Sequence, residues 1–456
     1  MKTLHTKEQL LIGLDLGTSA IKGVLMAADG RILKEVAQDN QLLCPRDGWV
    51  EVEPEHHYQN VCRVIRELAA DAPSEIAALA MAAASGNTLL TDAKGHPLRP
   101  IINWMDRRAE GAPLAPLEGL TSEAVAQISG WPCVTSFPLA QLAWLKEQEP
   151  ELYRAAAHYG MDTDWLLYRM TGTWRMDTST ATTFHLLDQV RGVYHQPFLQ
   201  RLAISAGRLS PLMRSGVSIG PLSAQARQET GLGAETEVVT GSFDHPAAAR
   251  AAGVLRPGQL MLSCGTSWVG FVPHAERDAI LTAKLLCDPF LSDKGGPWAG
   301  MFSVPCIGRT IDAYITEFIA PGETDKFRIF DDLAAVAKPG AGGLVIDLRE
   351  PPKALHASRE NIARAVMEGA ARLLNEKLVA ARALGFTFEQ AVMVGGPSRS
   401  PVWPGIVAEI TGLDVTSADR SAGARGAALL AGMGAGVYHD EAEAFNMWGG
   451  NHVNAR

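Results

Sequence analysis

The sequence predicts an α/β protein built from two related domains. Three observations carry that reading. The chain has 456 residues, which at ordinary domain sizes makes about two or three domains, each able to bury a core. Short strand-like runs alternate with helix-like ones along its whole length, the pattern of strands covered by helices. A strand–Gly-Thr-Ser–strand pattern occurs twice, in GLDLGTSAIKGVL near the start and in LSCGTSWVGFV in the second half. We therefore expect domains spanning 1–234 and 235–456, with the break near Gly231 to Glu237.

The elements follow in order. LIGLDLG and AIKGVLMA read as short strands, and ADGR between the second and the next run is a hairpin signal. SEIAALAMAAASG reads as a helix leading into a buried strand that stops at Ser85 and Gly86. LAQLAWLKEQEPELYRAAA and DWLLYRMTG carry apolar residues at helical spacing. EVVTGSFDHPAAARAAG reads as strand, loop and helix, and GQLMLSCGTSWVGFV as a hairpin. ENIARAVMEGAARLLNEKLVAARALG is a long amphipathic helix closed by Gly385. QAVMVGGPSRSPVWPGIVAEITG is strand, glycine turn and helix, and SAGARGAALLAGMGAGVY is a helix of small residues able to pack closely.

Composition narrows the function classes. Apolar residues make up 47% and charged residues 20%, which suits a folded enzyme rather than a disordered chain. The net charge of −9 disfavours a nucleic-acid or anionic-membrane partner, so an anionic ligand has to be held locally by amides, helix ends, a metal ion or a few cations. The six cysteines are scattered without CxxC or metal-ligand spacing, as expected of reduced, mostly buried thiols in a cytoplasmic protein. No apolar run reaches membrane-spanning length and the N-terminus has no signal-peptide pattern.

Several stretches carry candidate chemistry. In DLGTSAIK, Asp15 at a strand end is followed by Thr18, Ser19 and Lys22. Such a turn can aim amides and hydroxyls at a phosphate, with the carboxylate holding a hydrated magnesium ion; an ordinary hairpin turn explains the same residues. SCGTS (Ser263 to Ser267) and VMVGGPSRSP (Val392 to Pro401) are two further glycine turns. There is no GxxxxGK[ST] loop and no GxGxxG opening a helix, so neither a P-loop nor a dinucleotide fold has support. In GSFDHPAAARA, Asp244 and His245 sit where a strand hands over to a helix. A helix start favours an ionised carboxylate, which either caps the helix or accepts a hydroxyl proton during phosphoryl transfer. His245 either binds a ligand hydroxyl or fills a polar niche. AASGNT ends an apolar run at Asn87, and INWMDRRAEG groups Trp104, Asp106, Arg107 and Arg108. An aromatic face beside a carboxylate and a guanidinium suits a sugar, and a solvated Asp–Arg turn gives the same letters.

Taken in this order, the motifs resemble the FGGY family of carbohydrate kinases over nearly the whole chain. IGLDLGTSAIKGVL is similar to the family's first phosphate motif, WMDRR to its W-x-D-x-R segment, and GSFDHPAAARAAGV to the segment with the catalytic aspartate. DWLLYRMTGTWRMDTSTATTFHLLD resembles the family's D-x-L-x-x-x-L-T-G … D-x-S-x-A stretch. LSCGTSWVGFV resembles the second phosphate motif, and VMVGGPSRSPVWPGIVAEITGLDV with GARGAALLAGMGAGVY resembles the adenosine-binding end.

The resemblance implies a two-domain, actin-like (ribonuclease-H-like) ATPase fold with the reaction in an interdomain cleft. It implies ATP and Mg²⁺ as cofactors, a sugar acceptor and a homodimer. Asp244 would be the general base and Asp15 would position the metal through water. Thr18, Ser19 and Lys22 would line the phosphate path, faced by Gly265 and Thr266, while Gly395, Gly396 and Ser400 would approach the adenosine. Asn87, Trp104, Asp106 and Arg108, with His245, would line the sugar pocket. The chain departs from the common pattern in SGNT, in the short region around 347–361, at Ser421 and at His245-Pro246, all of which bear on sugar identity. A ketose is the expected acceptor, with a polyol or aldonate as the alternative within the family. From another class, a nucleotide-switch protein uses the same scaffold.

Overall fold

Leu10–Leu16 (β1) is apolar at nearly every position, as suits a strand covered on both faces. It pairs antiparallel with Ala20–Ala27 (β2), which pairs antiparallel with Ile32–Asp39 (β3). The computed structural model describes residues 9–72, 74–84, 86–353, 356–418 and 421–449. On the other side of β1 run Ile76–Ala83 (β4) and then Glu237–Phe243 (β6), both parallel to it, with Ser218–Pro221 (β5) antiparallel at the edge. The sheet order is β5-β6-β4-β1-β2-β3.

The chain divides into two compact units. The first runs to Gly253 and regains Leu286–Gly295 and the chain from Gly423; the second holds Val254–Leu285 and Gly296–Ala422. The expected boundary at 234/235 and this division differ over 235–253, which holds β6, over Leu286–Gly295 and over the chain from Gly423, all of which pack in the first unit.

Two layers cover the first sheet. On one face, Pro54–Ala69 (α1) and Asp162–Thr171 (α2) bury Val61, Ile65, Leu68, Trp165 and Leu166 against Ile12, Leu14 and Leu79. On the other, Ala422–Gly434 (α5) packs Ala424, Ala428 and Leu429 with Leu11, Val24, Ala78 and Ala80. Thr178–Phe184 (α3) and Asp244–Ala251 (α4) belong to the same unit. A Cβ on Gly426 of α5 would lie 1.8 Å from the Ala247 carbonyl oxygen of α4, so the small-residue helix is that close to the element carrying Asp244.

Residues 76–83 are strand from the first residue, not the end of a helix. Alanine favours helices, but Ala78 and Ala80 face the close-packed α5 while Leu79, Met81 and Ala83 face the opposite core; packing on two faces overrides propensity. The helical run from Leu139 is broken at Pro150 into Pro138–Gln148 and Pro150–Ala155. No loop separates β6 from α4: Asp244 is the first helical residue.

In the second unit, Gly258–Cys264 (β7) and Trp268–His274 (β8) form the expected hairpin, and β8 pairs antiparallel with Trp298–Val304 (β9). Phe388–Gly395 (β10) runs parallel to β7, and Asp414–Ser417 (β11) parallel to β10. The order β9-β8-β7-β10-β11 repeats the pattern of β3-β2-β1-β4-β6 in strand direction and sequence order. The echoed Gly-Thr-Ser motif thus marks the same hairpin turn in both units. The long helix is Arg359–Arg382, and Gly385 follows it with a positive φ of 93°.

Candidate active site

Asp15 lies near the C-terminal end of β1, opposite Lys22 on β2 and Ala82 on β4. Asp244 follows the C-terminal end of β6, which runs parallel on the far side of β4. Two strand spacings, roughly 10 Å, therefore separate their starting points. The groups are close enough to interact: burial pushes the Asp15 carboxyl up to about 6, Asp244's negative charge adds to this, and Lys22 and His245 oppose it. A Cβ on Gly423, at the start of α5, would lie 2.8 Å from Asp15 Oδ2, so α5 begins directly against this carboxylate.

The Asp244 carboxylate does not cap its helix, since Phe243 occupies the cap position and no side chain bonds there. Instead its Oδ1 accepts the His245 backbone N–H at 2.6 Å and lies 2.6 Å from His245 Nδ1. Burial pulls the His245 pKa down, but Asp244's charge, this hydrogen bond and Asp15 together hold it above the ordinary value. The imidazole stacks on Phe243 with centroids 5.3 Å apart and planes 4° from parallel. Gly241 is explained by main-chain packing: its Cβ would fall 1.6 Å from the Met81 carbonyl oxygen, where the register of β6 against β4 shifts.

The sugar-type segment reaches the first turn directly. Trp104 Nε1–H donates to Thr18 Oγ1 at 2.8 Å, and its backbone N–H donates to Asn87 Oδ1 at 2.9 Å. Asn87 Nδ2 donates in turn to Asp162 Oδ2 at 2.8 Å. Thr18, Trp104 and Asn87 are thereby one hydrogen-bonded chain ending on a buried carboxyl, which burial raises to about 6. Ser85 lies outside the described residues. Ser19 and Lys22 are exposed.

Asp106 and Arg108 are buried and bonded to each other, in place of the solvated turn. Asp106 Oδ1 accepts Arg108 Nε–H at 2.8 Å, Oδ2 accepts the Val50 N–H at 2.6 Å, and Arg108 Nη2 reaches Glu51 at 2.7 Å. The guanidinium lies 3.8 Å from the Trp49 ring centroid. Arg108 Nη1 is buried without a partner among the described residues. The pair clamps the segment that carries Trp104.

Sequence reasoning missed the aromatic group behind His245. Trp131 lies 5.7 Å from Phe243 and 5.5 Å from Phe137, and Phe137 lies 5.3 Å from His185. His185 is fully buried with φ 63°, and burial pushes its pKa down to about 3. These residues come from separate loops and helix ends, so no periodicity announces them. It also missed Ser179, whose hydroxyl accepts the Phe243 N–H at 3.2 Å and donates to Asp288 at 2.8 Å, anchoring the residue before Asp244.

In the second unit, Gly265 and Thr266 form the exposed β7–β8 turn. Cys264 pairs with Gly395, so Gly395 and Gly396 lie at the adjoining strand end with exposed backbone. Gly308 N–H donates to the Thr266 carbonyl at 3.0 Å, bracing the turn. Ser400 is buried; its Oγ donates to Asp331 at 2.8 Å and accepts the Val402 and Trp403 N–H groups at the start of helix Trp403–Thr411. The two glycine turns therefore offer open backbone, whereas Ser400 is engaged in structure.

Comparison with known proteins gives the following. Residues 10–250 match the N-terminal domain, and 332–435 the C-terminal domain, of the FGGY family of carbohydrate kinases. The chain is 26% identical over 447 residues to a xylulose kinase of Bacillus subtilis, covering 94% of this chain and 89% of that one. It is 28% identical over 480 residues to an autoinducer-2 kinase of Klebsiella pneumoniae, covering 95% and 87%. The crystal structure of a xylulose kinase from Rhodospirillum rubrum superimposes with a TM-score of 0.81 at 25% identity, covering 94% and 91%.

Proposed function

This chain belongs to the FGGY family of carbohydrate kinases and uses ATP to phosphorylate a sugar, and from that premise we propose that Asp244 is the general base of the transfer and that the acceptor is a ketose resembling xylulose. The observation that carries the assignment is the placement of Asp15 and Asp244 at strand ends on either side of β4, close enough for the Asp244 charge to act on Asp15. His245 occupies Asp244 Oδ1, which leaves Oδ2 to accept the proton of the attacking hydroxyl. As that proton leaves, the hydroxyl oxygen bonds to the γ-phosphorus and the bond to the ADP oxygen breaks.

The repulsion between Asp15 and Asp244 fits a divalent cation. Mg²⁺ needs only one or two carboxylates and keeps its waters, so Asp15 would hold it, and it would neutralise charge on the phosphates. In the first unit Thr18, Ser19 and Lys22 would meet phosphate; in the second, the Gly265–Thr266 turn would offer amides to phosphate, and Gly395 and Gly396 would let the adenosine approach the backbone. Trp104 and Asn87, with His245, would line the sugar, and Asp106 and Arg108 would fix the segment beneath it.

The test is ADP release across pentuloses, hexuloses, aldonates and polyols, with Asp244→Ala as control. We expect ketose-dependent turnover that falls by about 10²–10⁴-fold in the variant. Turnover with no added acceptor, or full activity in Asp244→Ala, would overturn the assignment. Among the described residues no helix is long and apolar enough to cross a membrane.

A further inference from the structure

The first unit holds an open cavity of about 910 Å³ that shares no residue with the site above. That volume is in the range of small-molecule sites. Its chemistry is one-sided. Arg175 and Arg191 line it, and no Asp or Glu does. Arg175 uses Nη1 on the Trp174 carbonyl at 2.7 Å, and its other donors have no partner among the described residues. Arg191 donates only its backbone N–H, to Asp188, and its guanidinium has no carboxylate partner among the described residues.

The floor is polar but self-contained. Ser210 Oγ donates to Asp164 Oδ2 at 2.5 Å, and His158 Nε2 lies 3.2 Å from Ser210 Oγ and 3.3 Å from the same carboxylate oxygen. A hydrolytic relay needs serine and carboxylate on opposite ring nitrogens; here one nitrogen faces both, so the trio is structural. Asp164 also accepts the Met161 N–H at 2.7 Å, and is thus committed below the cavity. The wall is stiff: Trp174 stacks with His158 at 3.7 Å and with Tyr168 at 4.3 Å between centroids. Leu209 and Leu212 add apolar surface.

We infer that this cavity binds a small organic anion of sugar size, a phosphate monoester or a carboxylate, with its charged end at Arg175 and Arg191 and its carbon body against Trp174 and Leu212. A guanidinium without a partner is a ready donor fork for either anion. The wall also connects to the reaction centre. Arg175 immediately precedes Met176–Asp177, which pairs with Leu212–Met213; Asp177 caps α3 through the Thr180 N–H at 2.8 Å, and Ser179 of α3 holds the residue before Asp244.

Isothermal titration calorimetry on the full chain tests this with glucose 6-phosphate and citrate as probes and glucose as the neutral counterpart. We expect saturable binding of at least one anion, weakened about ten-fold or more in Arg175→Ala/Arg191→Ala. The single Arg191→Ala, an exposed and unpaired position, should show a smaller loss with an unchanged melting temperature. Anion binding should persist in Asp244→Ala, and any glucose binding should ignore the arginine substitutions. The stronger of the two anions identifies the charged group. No heat with either anion up to about 10 mM, affinity indifferent to both arginines, or affinity lost in Asp244→Ala would each overturn the inference.

Discussion

The Trp104 indole donates its N–H to the Thr18 hydroxyl across 2.8 Å, so the Gly-Thr-Ser turn and the segment carrying the aromatic side chain are held in one register. A neutral hydrogen bond of this kind contributes about 1 kcal/mol. Trp104→Phe keeps an aromatic ring and removes the donor. We expect kcat/KM for the sugar to fall about three- to ten-fold, with little change in unfolding free energy. Equal kcat/KM values in the two proteins would show that the bond has no part in turnover.

The raised Asp15 carboxyl predicts an acid limb. Burial and then the Asp244 charge place it near 6, and holding a cation needs the ionised form. The pH profile of kcat/KM should therefore decline below about 6. In Asp15→Asn activity should be low at every pH and the limb should disappear. A limb that stays near 6 in that variant assigns it to another group.

Asp162 gives a stability prediction of defined sign. Its folded pKa, raised by burial from 3.8 to about 6, exceeds the unfolded value, so the fold binds the proton more tightly. Its contribution favours folding below about 4 and is lost as pH rises through 6. The shift corresponds to about 3 kcal/mol at most. Relative to the parent, Asp162→Asn should gain stability between pH 4 and 7, measured by urea unfolding at both. A pH-independent difference would count against the raised carboxyl.

Arg108 should matter to the fold before it matters to the sugar. Arg108→Ala leaves Asp106 buried without its cation, while Glu51 keeps Arg99 at 2.6 Å. Breaking such a pair costs about 3–5 kcal/mol, readable as a fall in denaturant midpoint. Arg108→Lys should recover only part of this, because one ammonium cannot reproduce the Nε and Nη2 bonds.

Much of this was legible in the letters. The duplicated Gly-Thr-Ser turn reported two sheets with one topology, and the strand–helix junction reported Asp244. Residues close in sequence carried these signals. The order of failure is equally physical. Ala78 and Ala80 read as helix because composition does not reveal which faces are covered. Asp106 and Arg108 read equally as a sugar-site pair or a solvated turn, and their buried clamp stayed hidden because their third partner, Glu51, is far away in sequence. Trp131, Phe137 and His185 meet only after folding, and the cation-lined cavity is built from loops whose spacing follows no period.

The return of α5 to the first unit sets an order of assembly. Leu11, Val24, Ala78 and Val239 lie against Ala424, Ala428 and Leu429, so much of one side of the first sheet stays uncovered until α5 has left the ribosome. The N-terminal half emerges early yet finishes late, and a chain stopped before residue 422 presents a bare apolar sheet face to whatever is nearby. Premature termination in this protein is thus an aggregation hazard for the part already made, and a nascent chain has reason to engage a holding chaperone until synthesis is complete.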